Sequence, residues 1–156
     1  MTGVQTCALP IFRAASGSAF TPGTLIVRVA GLAVACDTDT AVHKTLPVEM
    51  IWTDGSRFDA SPRYELDGSV VEEYATLTGN IVADLAVGLF TATPVAGDVI
   101  VKSATAGKLD PLDAAQLAAL VIADGAGLVM TQTVGRVVGA AERAGAGFYN
   151  CVLNLN

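Results

Sequence analysis

His43 is the only histidine among 156 residues, and Cys36, Asp37 and Asp39 lie within seven residues of it. A hydrolytic mechanism needs a nucleophile, a base and an orienting carboxylate, so any such chemistry would hang on this one imidazole. The same four groups could be assembled into a metal site from one loop. However, their spacing matches no recognised ligand motif, and all four would have to converge on one point. The sequence therefore favours a solvated Asp/Thr loop with an exposed His43. Glu72 and Glu73 are adjacent, which on a strand sends them to opposite faces and separates them as an acid/base pair. Asp54, Asp67 and Asp98 each have a glycine beside them, where turn chemistry already accounts for the residue type. The glycines of residues 139–147 lack both G-x-G-x-x-G spacing and a Walker Lys-Ser/Thr pair. No catalytic, cofactor-binding or metal-binding residue is assigned, and no enzymatic activity is expected.

Two other sets of side chains suit contact rather than catalysis. Trp52, Phe58, Tyr64 and Tyr74 fall in one strand-rich stretch, where their spacing fits cross-strand packing first and a carbohydrate platform second. Arg57, Arg63, Arg136 and Arg143 carry the planar fork favoured at subunit contacts, with simple solvation as the alternative.

These residues sit in a chain that is 52% hydrophobic and 15% charged, with 16 Gly, enough apolar content to build a sizeable core. Nine basic against fifteen acidic residues leave a net charge of −6, which excludes nucleic acid and anionic lipid as electrostatic partners. The longest apolar run, residues 25–35, is interrupted by Arg28 and is far short of the roughly 20 residues of a spanning helix. Residues 1–11 (MTGVQTCALPI) resemble the translation of a sequencing-library adapter. They are expected to pack poorly and to stand in place of a native N-terminus of unknown length. Setting Cys7 aside leaves Cys36 and Cys151, each in an apolar strand-like context that suits a small hydrophobe.

Along the chain, residues 12–23 read as a flexible arm ending in the Thr21-Pro22-Gly23 turn signal. Residues 25–30 and 32–36 read as strands divided at Gly31 by a bend or bulge. Residues 48–53 and 56–58 flank Asp54-Gly55, and residues 63–66 and 69–74 flank Asp67-Gly68, two hairpin signals that make residues 24–78 an antiparallel meander. A soft boundary at residues 76–80 opens a second strand-rich part, residues 79–156. There residues 95–103 and 105–109 form a strand, a glycine turn and a short return. One helix is expected over residues 110–125, with Asp110 as N-cap, Pro111 at the first helical position and Gly125 as terminator. Its apolar stripe is Leu112, Leu117, Leu120 and Val121. Residues 128–134 and 136–143 read as strands. In the last strand Tyr149, Cys151, Leu153 and Leu155 alternate with Asn150, Val152 and Asn154, which makes the C-terminal segment structural. The fold class is therefore mainly β, a small barrel, β-tulip or sandwich with one inserted helix.

Residues 95–109 (VAGDVIVKSATAGKL), residues 133–148 (TVGRVVGAAERAGAGF) and residues 151–153 (CVL) occur in this order. Together they resemble the strand-turn-strand and "vGrAleaa.aG..v.vll" pattern of tailed-phage capsid decoration proteins, also called capsid cement proteins. The resemblance covers about the last 60 residues. The helix over 110–125 is longer than that pattern usually carries, and the aromatic meander of residues 48–74 has no counterpart in it. The resemblance implies a homotrimer bound to the major capsid protein on the outer surface of the virion, stabilising the shell, without catalysis or cofactor. The alternatives are a phage fibre or baseplate module and a secreted carbohydrate-binding β module, in which the aromatic meander would be the working surface.

Overall fold

Residues 11–13, 20–52, 63–64, 70–71, 73–142 and 146–156 are described in the structure, a computed structural model. The chain forms strands β1 (Ile11–Arg13), β2 (Leu25–Val29), β3 (Leu32–Ala35), β4 (Val48–Ile51), β5 (Arg63–Tyr64), β6 (Val70–Val71), β7 (Glu73–Leu77) and β8 (Gly79–Ala86). Strands β9 (Val99–Lys102) and β10 (Leu109–Leu112), helices α1 (Ala114–Asp124) and α2 (Ala126–Gln132), and strands β11 (Thr133–Ala140) and β12 (Phe148–Leu155) follow. One sheet has the order β1-β7-β4-β2-β3 and the other β10-β9-β11-β12-β8, while β5 and β6 pair alone. Every paired strand runs antiparallel. The fold is mainly β, two sheets with an inserted helical segment, and Thr78 alone separates the last strand of the first sheet from β8.

The core lies between the sheets. Leu25, Val27, Val48 and Met50 meet Ile100, Val137, Cys151 and Leu153 in a single cluster. Ile26 and Ile51 point to the opposite face of the first sheet, where Phe20 and Ala33 join them in a second cluster. That double coverage explains why β2 begins with three consecutive buried residues instead of an alternating pattern. The stretch 12–23 expected to be a flexible arm is thus attached at two places, Phe20 in this cluster and Phe12 and Arg13 paired with β7, and Ile11, from the segment expected to pack poorly, continues that pairing.

Three local expectations are corrected. Gly31 is neither a bend nor a bulge within a strand: Ala30 and Gly31, at φ of 50° and 81°, form the two-residue turn of a hairpin in which Val29 opposes Leu32. The helix does not begin at Asp110. Residues 109–112 pair with β9 instead, and Pro111 is accommodated because β10 is an edge strand, where a missing N–H costs no ladder bond. Asp113 is the N-cap; its carboxylate accepts from the N–H groups of Ala115 and Gln116, and the Gln116 side chain accepts from the Asp113 N–H. Residues 128–132 are helical rather than extended. Gly125, at φ 85°, breaks the helix, and buried Val129 and Gln132 recur three residues apart on one face of α2.

The second sheet is held closely at Gly135, where a Cβ would overlap the Val152 carbonyl oxygen of the neighbouring strand. A register shift between Val137 and Gly139 marks a bulge in the same strand. In β12, Cys151, Leu153 and Leu155 are buried while Val152 and Asn154 are exposed, in the alternation expected from the sequence. The Asp54-Gly55 and Asp67-Gly68 turns, with Phe58, Arg57, Glu72 and Arg143, lie outside the described residues. Around the second of these turns Arg63 opposes Val71 and Tyr64 opposes Val70.

Candidate functional site

A polar cluster forms where the loop after β3 meets β9 and the helices. Asp37 follows the last buried residue of that hairpin, Cys36, and its Oδ1 accepts the Thr40 N–H at 2.6 Å, holding the loop turned back on itself. A short 3-10 turn, Ala41–Lys44, then brings His43 back beneath the loop. His43 is not exposed as expected but 7% accessible, because its Nδ1 lies 3.3 Å from the Asp37 N–H and 3.2 Å from Asp37 Oδ2. The imidazole therefore fills the loop from inside. Asp39 remains exposed at the loop tip.

Lys102, at the end of β9, is 2% accessible and is the residue the sequence analysis missed. Its ammonium donates to the carbonyls of His43 at 2.9 Å, Lys44 at 3.1 Å and Leu46 at 2.8 Å. Three carbonyls match the three donors of an ammonium group, so the charge is buried fully bonded. Burial pushes the Lys102 ammonium below the ordinary lysine range. In the sequence Lys102 is only a polar residue ending an apolar strand, and nothing in its spacing separates it from a solvated strand terminus.

Beside it Lys44 Nζ and Gln132 Nε2 both donate to Asp124 Oδ2 at 2.9 Å, joining the loop to both helices. The Lys44 and Gln132 hydrogen bonds hold the Asp124 carboxyl below the usual carboxylate range. Thr131 Oγ1 adds a bond to the Lys44 carbonyl. A cavity of about 420 Å³ between helix and sheet is lined by Lys44, Lys102, Asp110, Gln116, Asp124 and Gln132. A second, of about 480 Å³, includes Arg28, Glu49, Thr78 and Asn156 in its lining. There Arg28 grips Glu49 bidentately, Nε to Oε2 at 2.7 Å and Nη2 to Oε1 at 3.0 Å, and Thr76 Oγ1 reaches Oε1 at 3.4 Å.

This arrangement braces the loop. Burial pushes the Cys36 thiol up to about 11, leaving it protonated at neutral pH, and it does the same to Cys151. Both are free and buried in the core between the sheets. In a Cys7→Ser background, neither thiol should react with a thiol-specific reagent at pH 8 until denaturant is added; fast native labelling at either would contradict the burial. No group of three or more His, Cys, Asp or Glu residues is poised around a metal among the described residues.

Asp37 makes the cluster sensitive to acid. Burial alone would raise its pKa, but hydrogen bonds from Thr40 and the contact with His43 outweigh burial and hold the carboxyl below the usual range. With the folded pKa depressed, the stabilisation is complete above the unfolded value, about 3.9, and is lost as pH falls through the folded one. Urea midpoints measured from pH 6 down to pH 2 should therefore fall less steeply for Asp37→Asn than for the native chain.

The remaining described residues singled out in the sequence are distributed over several elements. Trp52 is 56% exposed just after β4, and Arg136 is exposed in the middle of β11. Arg63 lies in β5, Glu73 and Tyr74 in β7, and Tyr64 in β5. Asp98 serves its turn, accepting the Val95 N–H at 2.8 Å. Gly139 stands at the bulge of β11 rather than in a loop leading into a helix. No family model, no curated protein and no solved structure matches the chain.

Proposed function

We propose that the chain is a structural, non-enzymatic module that binds the outer surface of a tailed-phage capsid and stabilises the shell. The observation that carries this reading is the placement of the segments behind the family resemblance. Residues 95–109 supply β9 and the start of β10, residues 133–148 supply β11, and residues 151–153 lie in β12, all four strands being consecutive in one sheet. The short degenerate motifs thus form one continuous structural unit. The polar groups that could have argued for catalysis, Asp37, His43, Lys44, Lys102 and Asp124, are engaged with one another, with main-chain groups or with Gln132. Exposed Val82, Val95, Ile122 and Met130, each more than 60% accessible, offer apolar contact area of the kind a docking protein needs.

The partner is the major capsid protein, and the unit on the shell is a homotrimer. Co-expression with the major capsid protein of a tailed phage whose genome encodes this chain should yield shells carrying it at local three-fold positions in electron-microscopic reconstructions. Shells that never acquire it, at any ratio of the two proteins, would overturn the reading. The exposure of Trp52 favours a second reading, a carbohydrate-binding module. It predicts glycan affinity that Trp52→Ala abolishes, in a chain indifferent to shells.

A further inference from the structure

Among the described residues strand β8 is bonded on one side only. It forms an edge of the second sheet and pairs with β12 over all eight residues, from Gly79 opposite Leu155 to Ala86 opposite Phe148. Continuing that register by one residue sets Val87 opposite Gly147, and the Val87 N–H donates to the Gly147 carbonyl at 2.7 Å. In an antiparallel ladder the hydrogen-bonded pairs recur every second residue, so residues 79, 81, 83 and 85 bond to β12. Asn80, Val82, Asp84 and Ala86 therefore aim their N–H and C=O groups away from the sheet. Among the described residues no backbone group bonds to that outer side.

Natural edges are usually blunted by lysine, proline, bulges or shortness. The other edge of this sheet, β10, is four residues long and carries Asp110 and Pro111. By contrast β8 (GNIVADLA) is twice that length, continuous in register, and has Asp84 as its one charge. Its exposed face presents Asn80, Val82 and Asp84, with Val82 67% accessible.

We infer that β8 pairs antiparallel with β8 of a second copy of this chain across a two-fold axis at Val82, joining two five-stranded sheets edge to edge. In that register Val82 faces its own counterpart and Asn80 faces Asp84 in both directions, with all the paired backbone groups being those left open. The side chains select it. Asp84 Oδ1 already accepts from Asn150 at 3.0 Å, which leaves Oδ2 for the Asn80 amide of the opposing strand. Sliding by two residues would set Val82 against the Asp84 carboxylate, and sliding by four would set Asp84 against itself. Sliding the other way sets Val82 or Asn80 against Asn80, so only the register centred on Val82 sets Asn80 against Asp84. The contact is confined to one pair of strands, at the low end of interface sizes, and is expected to be weak. It uses neither the shell nor any three-fold contact and stands independently of the proposed function.

Sedimentation equilibrium of the full chain up to about 200 µM should show species of even stoichiometry. Val82→Pro deletes the central outward N–H and leaves the bonds to β12 intact, and Asn80→Asp sets like charges face to face. Each should weaken association about tenfold or more. Adding Asp84→Asn to Asn80→Asp restores the complementary pair and should recover native association within about twofold. Thermal melts confirm that each variant folds, and should Val82→Pro fail there, the Asn80 and Asp84 pair still decides. A chain that is monomeric at the highest concentration, or trimeric with no even species, overturns the inference. So does association indifferent to Asn80→Asp, or loss of association that the second substitution does not rescue.

Discussion

Removing residues 148–156 is expected to leave a chain that shows no cooperative unfolding transition. These residues form β12, which lies between β11 and β8 and is hydrogen-bonded to both. Cys151, Leu153 and Leu155 are each 1% accessible or less within the main core. Truncating a buried leucine to alanine costs about 2–5 kcal/mol, and a whole domain has about 5–15 kcal/mol to lose. Two such leucines with the ladders on either side exceed that reserve. The Asn156 carbonyl also accepts the Val48 N–H at 3.0 Å, a bond from one sheet to the other. Leu153→Ala alone should fold with a stability lower by about 3 kcal/mol, read from urea denaturation. A truncated chain with a native-like transition would refute the central role of β12.

Lys102→Met should cost about 3 kcal/mol, more than most single substitutions. Methionine keeps an apolar stem of similar length, so the change removes the ammonium with little loss of volume. The carbonyls of His43 and Leu46 then lose their donor beneath the loop, while that of Lys44 keeps Thr131 Oγ1. Since leaving buried acceptors unsatisfied costs more than a hydrogen bond contributes on average, the loss falls on the Ala41–Lys44 turn. The measurement is denaturant midpoint against that of Lys108→Met, a surface control whose ammonium bonds the Gly88 carbonyl. Equal midpoints would show that water replaces the lysine without cost.

The sequence made β12 legible because one of its faces is buried and the other is not, and alternation is a direct record of that asymmetry. β2 was legible as a strand but not as one buried on both sides, because its second cover, Phe20, comes from a stretch whose composition reads as a loose arm. Helix boundaries failed where two signals competed. Asp110-Pro111 is a good helix start in isolation, yet pairing with β9 claims those residues, and Asp113 takes over the cap. His43 was read as exposed because its burial depends on Asp37 folding back over it, a contact that residue types alone do not reveal. Lys102 was invisible for a related reason: its three acceptors are main-chain carbonyls, which every residue possesses.

The single-residue link at Thr78 has a mechanical consequence. It ties the sheets covalently along one side, where β7 passes directly into β8. On the far side the β3 end of the first sheet and the β10 end of the second are fastened by backbone bonds, Gly107 N–H to Cys36 at 2.8 Å, Leu25 N–H to Gly107 at 3.0 Å and Thr38 N–H to Ser103 at 2.9 Å. The sandwich is thus bound like a book with a spine and a clasp. The clasp consists of bonds that break and re-form, and the spine does not, so partial opening starts there, with amide protons of Leu25, Thr38 and Gly107 exchanging before those in the β8–β12 ladder. Force applied across the clasp would separate the sheets at lower load than force applied along the spine, giving the module a weak direction and a strong one.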